Sequence, residues 1–353
     1  NLELDLASGE RGHRDAPLQQ RVREYFGTER CLVLTNNNAA ATLLLLNTLS
    51  AGKEAVVSRG ELVEIGGGFR MPEVMAASGA TLREVGTTNR TRVSDYKGAC
   101  GERTGLLLKV HTSNYRIRGF TEEVSLSDLT ALGRELKVPV GFDLGSGLTL
   151  PPGRLGLADE PAVADALGTD VAALCFSADK LFGACQAGLL LVAPSLAPRF
   201  RSNPLLRAMR ADKMAYAVLG AVLDLYRRGR WQEIPALAML SAPLPDLLAR
   251  ARRLGTRIER AAPGRFVVQV IRAEGRVGGG CAPLETLPSP ALAISPVSGR
   301  VEALEAHLRT GGEPPVLPVM SEGRLVIHLR TLLKGDEQPL VRRLAEFPEG
   351  EGP

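Results

Sequence analysis

The sequence predicts an α/β protein, a mostly parallel sheet with helices on both faces, followed by a smaller α+β domain. Three observations predict it. Up to about residue 200, short runs recur that are apolar throughout and do not alternate, such as "CLVLT" (31–35) and "VAALCF" (171–176). Helix-like segments separate these runs, the pattern of parallel strands buried on both faces. After Pro235 the texture changes to strands and helices of mixed polarity. A chain of 353 residues has room for about two domains, expected at 1–232 and 233–353.

The elements follow in order. Pro17–Phe26 reads as the first helix, with Asp15 placed to cap it. Strands are expected at Cys31–Thr35, Ala55–Ser58, Thr81–Val85, Gly105–Val110, Val138–Asp143, Val171–Phe176 and Gly188–Ala193. Among the helices between them, Ser127–Leu136 carries Ser127-Asp128 as an N-cap signal. A long helix is expected from Ala211 to about Arg228. In the second domain, strands at Phe266–Arg272, Ala291–Ser295 and Leu325–Arg330 interleave with helices near Val301–Leu308 and Glu337–Leu344. Gly350-Glu351-Gly352-Pro353 reads as a frayed end.

Composition narrows the class. With 44% hydrophobic and 23% charged residues, the chain is an ordinary globular protein. No apolar run approaches the roughly 18 residues of a membrane span, so no membrane contact is expected. The net charge of +4 is mild; the clusters Arg227-Arg228-Gly229-Arg230 and Arg250–Arg257 read as solvated helix faces. The opening residues are not a signal peptide and lack an initiator Met, so a missing N-terminal piece is expected. Five scattered cysteines without C-x-x-C spacing imply reduced thiols and a cytoplasmic setting. Four scattered histidines do not make a zinc site.

Three stretches carry chemistry. In "CFSADKLFGACQAG" (175–188) an apolar strand runs into Ser177, Asp179 and Lys180, then small residues. Of the seven lysines, only Lys180 stands at such a place. Burial there lowers an amine's pKa and prepares it as a nucleophile; the plainer reading is a strand-end lysine paired with Asp179. In "GFDLGSG" (141–147) Asp143 sits at the carboxyl end of a buried strand, where open α/β sheets place ligands. It could pair with a pyridinium nitrogen or cap a turn. In "TNNNAAA" (35–41) the loop Asn36-Asn37-Asn38-Ala39 opens straight into an apolar helix. Free N–H groups and the helix dipole make such a start an anion site, or simply a capped helix. Ser177 could add a hydroxyl to the same phosphate. Phosphate cradle, aspartate and lysine, in this order, are the layout of pyridoxal 5'-phosphate chemistry on an aspartate-aminotransferase-like (fold type I) fold.

Further residues are candidates. His111, after the run 106–110, could stack on a ring or be a satisfied strand-end histidine. Arg59, Glu61 and Glu64 lie close to Gly66-Gly67-Gly68, which points either to backbone approach to a ligand or to a flexible turn. Arg207 and Arg210, three residues apart on an expected helix, would share one face and clamp an oxyanion, or form a solvated basic face.

Long blocks of the chain resemble bacterial selenocysteine synthase, the L-seryl-tRNA(Sec) selenium transferase family. They include "NNNAAA" (36–41), "SRGELVEIGGGFRMPEVM" (58–75), "EVGTTNRT" (84–91), "LLLKVHTSNYRIRGFT" (106–121), "DLGSG" (143–147), "FSADKLFGACQAG" (176–188) and "NPLLRAMRADKM" (203–214). The resemblance implies that Lys180 carries pyridoxal 5'-phosphate covalently, that Asp143 faces the ring nitrogen, and that Arg207 and Arg210 hold the selenium donor. It also implies a homo-oligomer, a ring of dimers, with Thr87, Thr88, Asp95 and Tyr115 near subunit contacts. The implied reaction converts L-seryl-tRNA(Sec) to L-selenocysteyl-tRNA(Sec) with selenophosphate, through an aminoacrylyl-tRNA intermediate. The chain departs from the family pattern at Ala178, at Ala184-Cys185 and at Val319, where the family often has arginine. The family's N-terminal tRNA-binding domain lies outside this sequence, so the full reaction is not expected of this chain alone. Two other functions compete with this one: a related lyase acting on a small phosphorylated amino sugar or amino acid, and a non-catalytic tRNA-binding or assembly subunit.

Overall fold

The structure is a computed structural model and describes residues 4, 8–10, 12 and 14–348. The expected frayed end at 350–353 and most of the opening residues lie outside that range. The chain divides into two compact units. One comprises residues 1–234 with 278–284, the other 235–277 with 285–353. The stretch 278–284, which the sequence places with the C-terminal part, packs with the larger unit.

The larger unit is built on seven strands: β1 (Cys31–Thr35), β2 (Glu54–Ser58), β3 (Thr81–Val85), β4 (Thr104–Val110), β5 (Val140–Gly145), β6 (Ala173–Ser177) and β7 (Gly188–Val192). Their order across the sheet is β1-β7-β6-β5-β4-β2-β3. The pairs from β6 to β3 are parallel. Only β7 runs antiparallel, to both β1 and β6. Residues 178–187 are too few for a helical crossover, so β7 returns beside β6 by a tight turn. Strands β4 to β7 are buried at every position, which is why they read as unbroken apolar runs.

Helix α1 (Ala16–Phe26) starts after Asp15, whose side chain makes no capping bond. Helix α2 (Asn38–Ser50) is apolar on nearly every side and is buried from Ala40 through Leu49 at most positions. Its Leu44, Leu45, Leu46 and Leu49 join Val57, Leu106, Leu108 and Leu190 in the core under the sheet. Truncating one such leucine costs about 2–5 kcal/mol. Helix α3 (Leu126–Leu136) is capped by Ser125, whose hydroxyl accepts the Asp128 N–H at 3.1 Å, so the cap lies two residues before the expected one.

The expected continuous helix face for Arg207 and Arg210 is not formed. Helix α4 (Pro204–Ala208) ends just after Arg207. Arg210 instead bridges antiparallel to Thr35, and the Asn36 N–H bonds to the Met209 carbonyl at 2.8 Å. Pairing with the free edge of β1 takes the carbonyl that a continuing helix would need. The long helix starts anew as α5 (Lys213–Arg227), capped by Asp212, which accepts the Ala215 N–H.

In the smaller unit, β8 (Phe266–Ile271), β9 (Ala291–Pro296), β10 (Val319–Ser321) and β11 (Arg324–His328) form an antiparallel sheet in the order β8-β9-β11-β10. Its core joins Leu254 and Ile258 of α6 (Leu244–Ala261), Leu304 and Leu308 of α7 (Val301–Thr310), and Leu340 and Leu344 of α8 (Glu337–Ala345). The cluster Arg250–Arg257 lies on α6; Arg250 and Arg257 both pair with Glu337. Among the described residues no helix is long and apolar enough to cross a membrane. The architecture is the mostly parallel α/β sheet plus small α+β unit that the sequence predicts.

Candidate active site

The carboxyl ends of β4, β5 and β6 meet the start of α2 around a cavity of about 260 Å³. Asn37, Asn38, Ala39, His111, Asp143, Ser177, Asp179 and Lys180 all line it. The three stretches singled out by the sequence therefore share one space.

Asp143 is buried two residues before the end of β5. Its Oδ1 accepts from Asn38 Nδ2 at 2.8 Å and its Oδ2 from Thr42 Oγ1 at 3.0 Å. Asn38 and Thr42 are i and i+4 on α2, so they present one face to the carboxylate. Burial pushes the Asp143 carboxyl above its usual range, and the bonds from Asn38 and Thr42 and the charge of Lys180 oppose that shift. Both donors are neutral, so the carboxylate is held in place without being neutralised.

Lys180 sits on the turn between β6 and β7. That turn is tied by Ala178 N–H to Ala187 O, Leu181 N–H to Ser146 O, Gly183 N–H to Lys180 O and Ala184 N–H to Ala178 O. Buried Phe182 packs between Phe176 and Tyr226, and the Tyr226 hydroxyl donates to the Phe182 carbonyl at 3.0 Å. The backbone around Lys180 is therefore rigid. The plainer reading, a Lys180–Asp179 pair, is not formed: Asp179 is exposed, and the Lys180 side chain makes no hydrogen bond or ion pair among the described residues.

The opening of α2 forms the third side. The Asn37 side chain accepts the Ala40 N–H at 2.8 Å. The first N–H groups of a helix have no acceptor within it, which leaves those of Asn38 and Ala39 at the cavity, with the Ser177 hydroxyl across from them on β6. Asn36 does not join them; it is exposed, and its N–H is spent on Met209. Gly188 is required here. A Cβ on it would stand 2.3 Å from the Asn37 carbonyl oxygen and 2.5 Å from Thr35 Oγ1.

His111 follows β4. Its N–H donates to the Asp143 carbonyl at 2.9 Å, and its Nδ1 lies 2.9 Å from the Leu144 carbonyl oxygen. A carbonyl only accepts, so Nδ1 carries the proton. Nε2 is buried and has no hydrogen-bond partner. Burial, with smaller effects from Arg116 and Lys109, lowers the His111 pKa to about 4, so the ring is neutral at neutral pH.

Other candidates lie elsewhere. Arg59 pairs with Glu84 at 2.8 Å and does not line the cavity. Arg210 lines a different cavity with Arg14, Asp15, Arg201 and Tyr216, and Arg207 lies on α4 outside both. Thr88 and Tyr115 line a third, polar cavity, where the Tyr115 hydroxyl donates to the Gly60 carbonyl. Thr87 closes a turn with Arg90, and Asp95 accepts the Arg92 N–H at 2.8 Å. Sequence reasoning missed Thr42 and the ion pair of Glu61 with Lys109. The two side chains are buried, with Nζ 2.7 Å from Oε1, and the second Glu61 oxygen accepts the Val110 N–H at 2.8 Å. Thr42 had a signal, its i+4 spacing from Asn38. The Glu61–Lys109 pair spans 48 residues and had none.

Comparison with known proteins gives the family. Residues 1–333 match the family model described as L-seryl-tRNA selenium transferase. A relative from Solidesulfovibrio magneticus, named L-seryl-tRNA(Sec) selenium transferase, is 47% identical over 346 residues, covering 97% of this chain and 73% of its own. One of the same name from Geobacter sulfurreducens is 44% identical over 349 residues, covering 98% and 75%. Among solved structures, D-glucosaminate-6-phosphate ammonia-lyase superposes with a TM-score of 0.64 at 18% identity, covering 97% of this chain and 88% of that one, a likeness of fold. By its sequence along nearly its whole length, this chain belongs to the L-seryl-tRNA selenium transferase family.

Proposed function

We propose that this protein converts L-seryl-tRNA(Sec) to L-selenocysteyl-tRNA(Sec), with pyridoxal 5'-phosphate as cofactor and selenophosphate as donor. The observation that carries the reading is the convergence of Lys180, Asp143 and the start of α2 on one cavity, in a chain of this family.

The residues present fit the cofactor. Asp143 is a buried carboxyl group whose hydrogen-bond partners are neutral donors, so it would pair with a protonated ring nitrogen. Asn38 and Ala39 N–H groups with the Ser177 hydroxyl suit a phosphate. The unpartnered, buried Nε2 of His111 belongs to the same wall. Lys180 would hold the cofactor covalently through Nζ.

When bound, pyridoxal phosphate supplies an electron sink for a carbanion beside the seryl amino group. Asp143 keeps the ring nitrogen protonated, and Asn38 and Thr42 keep Asp143 in place. Lys180, held on its tied turn, takes the proton from the seryl Cα and later returns it. Neutral His111 cannot donate a second charge to the site. Arg210, with Arg14 and Arg201 nearby, and Arg207 are assigned to the anionic donor. A ring of dimers with contacts near Thr87, Thr88, Asp95 and Tyr115, and a cytoplasmic setting, belong to the same reading. In this reading the unit of residues 1–234 with 278–284 is the catalytic domain, and 235–277 with 285–353 is the smaller one.

The test mixes a version of the protein that carries the family's N-terminal tRNA-binding domain with seryl-tRNA(Sec), selenophosphate and the cofactor. Selenocysteyl-tRNA(Sec) should form, and Lys180→Ala should abolish both product and borohydride-trapped cofactor. A wild-type protein that binds the cofactor yet leaves seryl-tRNA(Sec) unchanged would overturn the assignment.

A further inference from the structure

A buried carboxyl group that this mechanism does not use lies beside His111, which lines the cavity. The Glu160 side chain is wholly enclosed, and its Oε1 stands 3.8 Å from His111 Nδ1. Its Oε2 accepts the Ala282 N–H at 3.1 Å. Ala282, the second residue of the strand Cys281–Pro288, follows the turn at Gly278-Gly279-Gly280, in the stretch that packs with the larger unit. A Cβ on Gly280 would stand 3.9 Å from Lys180 Nζ, so this turn backs onto the lysine.

All three glycines have φ between +62° and +73°, and glycine backbone is the least restrained of any residue. Ala282 has φ +46°, a left-handed conformation that a residue with a Cβ adopts only at a cost. A charge-assisted bond to a buried carboxylate is strong enough to offset that strain. On its other side the same carboxylate faces the protonated edge of the imidazole, beside the Leu144 carbonyl. The reverse tautomer would set a lone pair against two oxygens.

We propose that Glu160 is a positioning residue: it ties the glycine turn 278–280 to His111, holding the turn behind Lys180 and the imidazole in its Nδ1–H form. Its importance for catalysis rests on the cofactor reading above; the tie itself does not. Glu160→Gln keeps size and shape. If its amide oxygen still accepts from Ala282, its NH₂ confronts the His111 Nδ1–H, so one contact must be lost.

The experiment uses the whole protein and two readouts besides turnover. Hydrogen exchange followed by mass spectrometry reports on peptide 278–284, and ¹⁵N-histidine NMR reports the His111 tautomer. In the wild type the peptide should be protected and His111 should be in the Nδ1–H form. Glu160→Ala should raise exchange about ten- to a hundredfold, the range for losing a hydrogen bond to a charged group, and mix the tautomers. Glu160→Gln should lose at least one of the two. An unprotected wild-type peptide, or unchanged exchange and tautomer in either variant, overturns the proposal. Should Glu160→Ala fail to fold, the wild-type and Glu160→Gln measurements decide it. Wild-type protein that takes up no pyridoxal phosphate would refute the cofactor reading, while the exchange data still judge the tie.

Discussion

Asn38 Nδ2 donates to Asp143 Oδ1 at 2.8 Å, across 105 residues of chain. One side chain at the first turn of α2 thereby fixes the carboxylate near the end of β5. The helix start that would receive a phosphate and the acid that would face a ring nitrogen are parts of one rigid unit.

Asp143→Asn should keep the fold and the cofactor, because an amide can still accept from Asn38 or Thr42. Turnover should fall by about 10²–10³-fold, the scale of losing one preorganised electrostatic contact. Steady-state kinetics with spectroscopic cofactor titration separates the two effects. Near-normal turnover would mean that Asp143 does not face the ring.

Gly188→Ala should damage the helix start without touching any charged group. The added methyl meets the Asn37 carbonyl and Thr35 Oγ1, and forcing it in costs about 1–3 kcal/mol. Thermal unfolding should show the loss, and cofactor affinity should drop with it. A melting temperature equal to the wild type's would show that the loop yields freely.

Acid should destabilise the protein through His111. Its pKa falls from 6.5 in the unfolded chain to about 4 when folded. Between those values the unfolded state binds more protons, so stability is fully present above pH 6.5 and is lost as pH falls through 4. The contribution is about 3 kcal/mol. Urea midpoints measured from pH 7 to pH 4 should fall less steeply for His111→Phe than for the wild type.

Arg210→Ala and Arg207→Ala should leave cofactor absorbance intact, since neither residue lines the cavity of Lys180. Use of the donor should weaken by about 1.5–3 kcal/mol per lost charge-assisted contact, read as a raised KM for selenophosphate. Arg210 should matter more, because Arg14 and Arg201 line the same cavity beside it. Weakened tRNA binding with unchanged donor KM would assign this surface to the nucleic acid.

Strand ends were legible because burial on both faces leaves an unmistakable apolar run. A polar residue near the end of such a run or just after it, as Asp143 and Lys180 are, stands out locally. The helix start at 36–39 was equally visible, a polar loop meeting an apolar helix. Asn36 was misplaced in it because nothing local shows that its N–H is claimed by Met209, far along the chain.

The sequence by itself determined the α/β class, the family and the polar residues near the ends of β5 and β6, since each depends on local pattern or on long matched blocks. The tertiary structure alone decided the rest. Helix α4 stops before Arg210 because the open edge of β1 offers Thr35 as a partner. Arg59 is drawn from the cavity by Glu84, and Asp179 faces solvent instead of Lys180. Glu160 reaches Ala282 across 122 residues. Each of these is a contact between segments whose own patterns do not mention the other, and such contacts exist only once the sheet has brought them together.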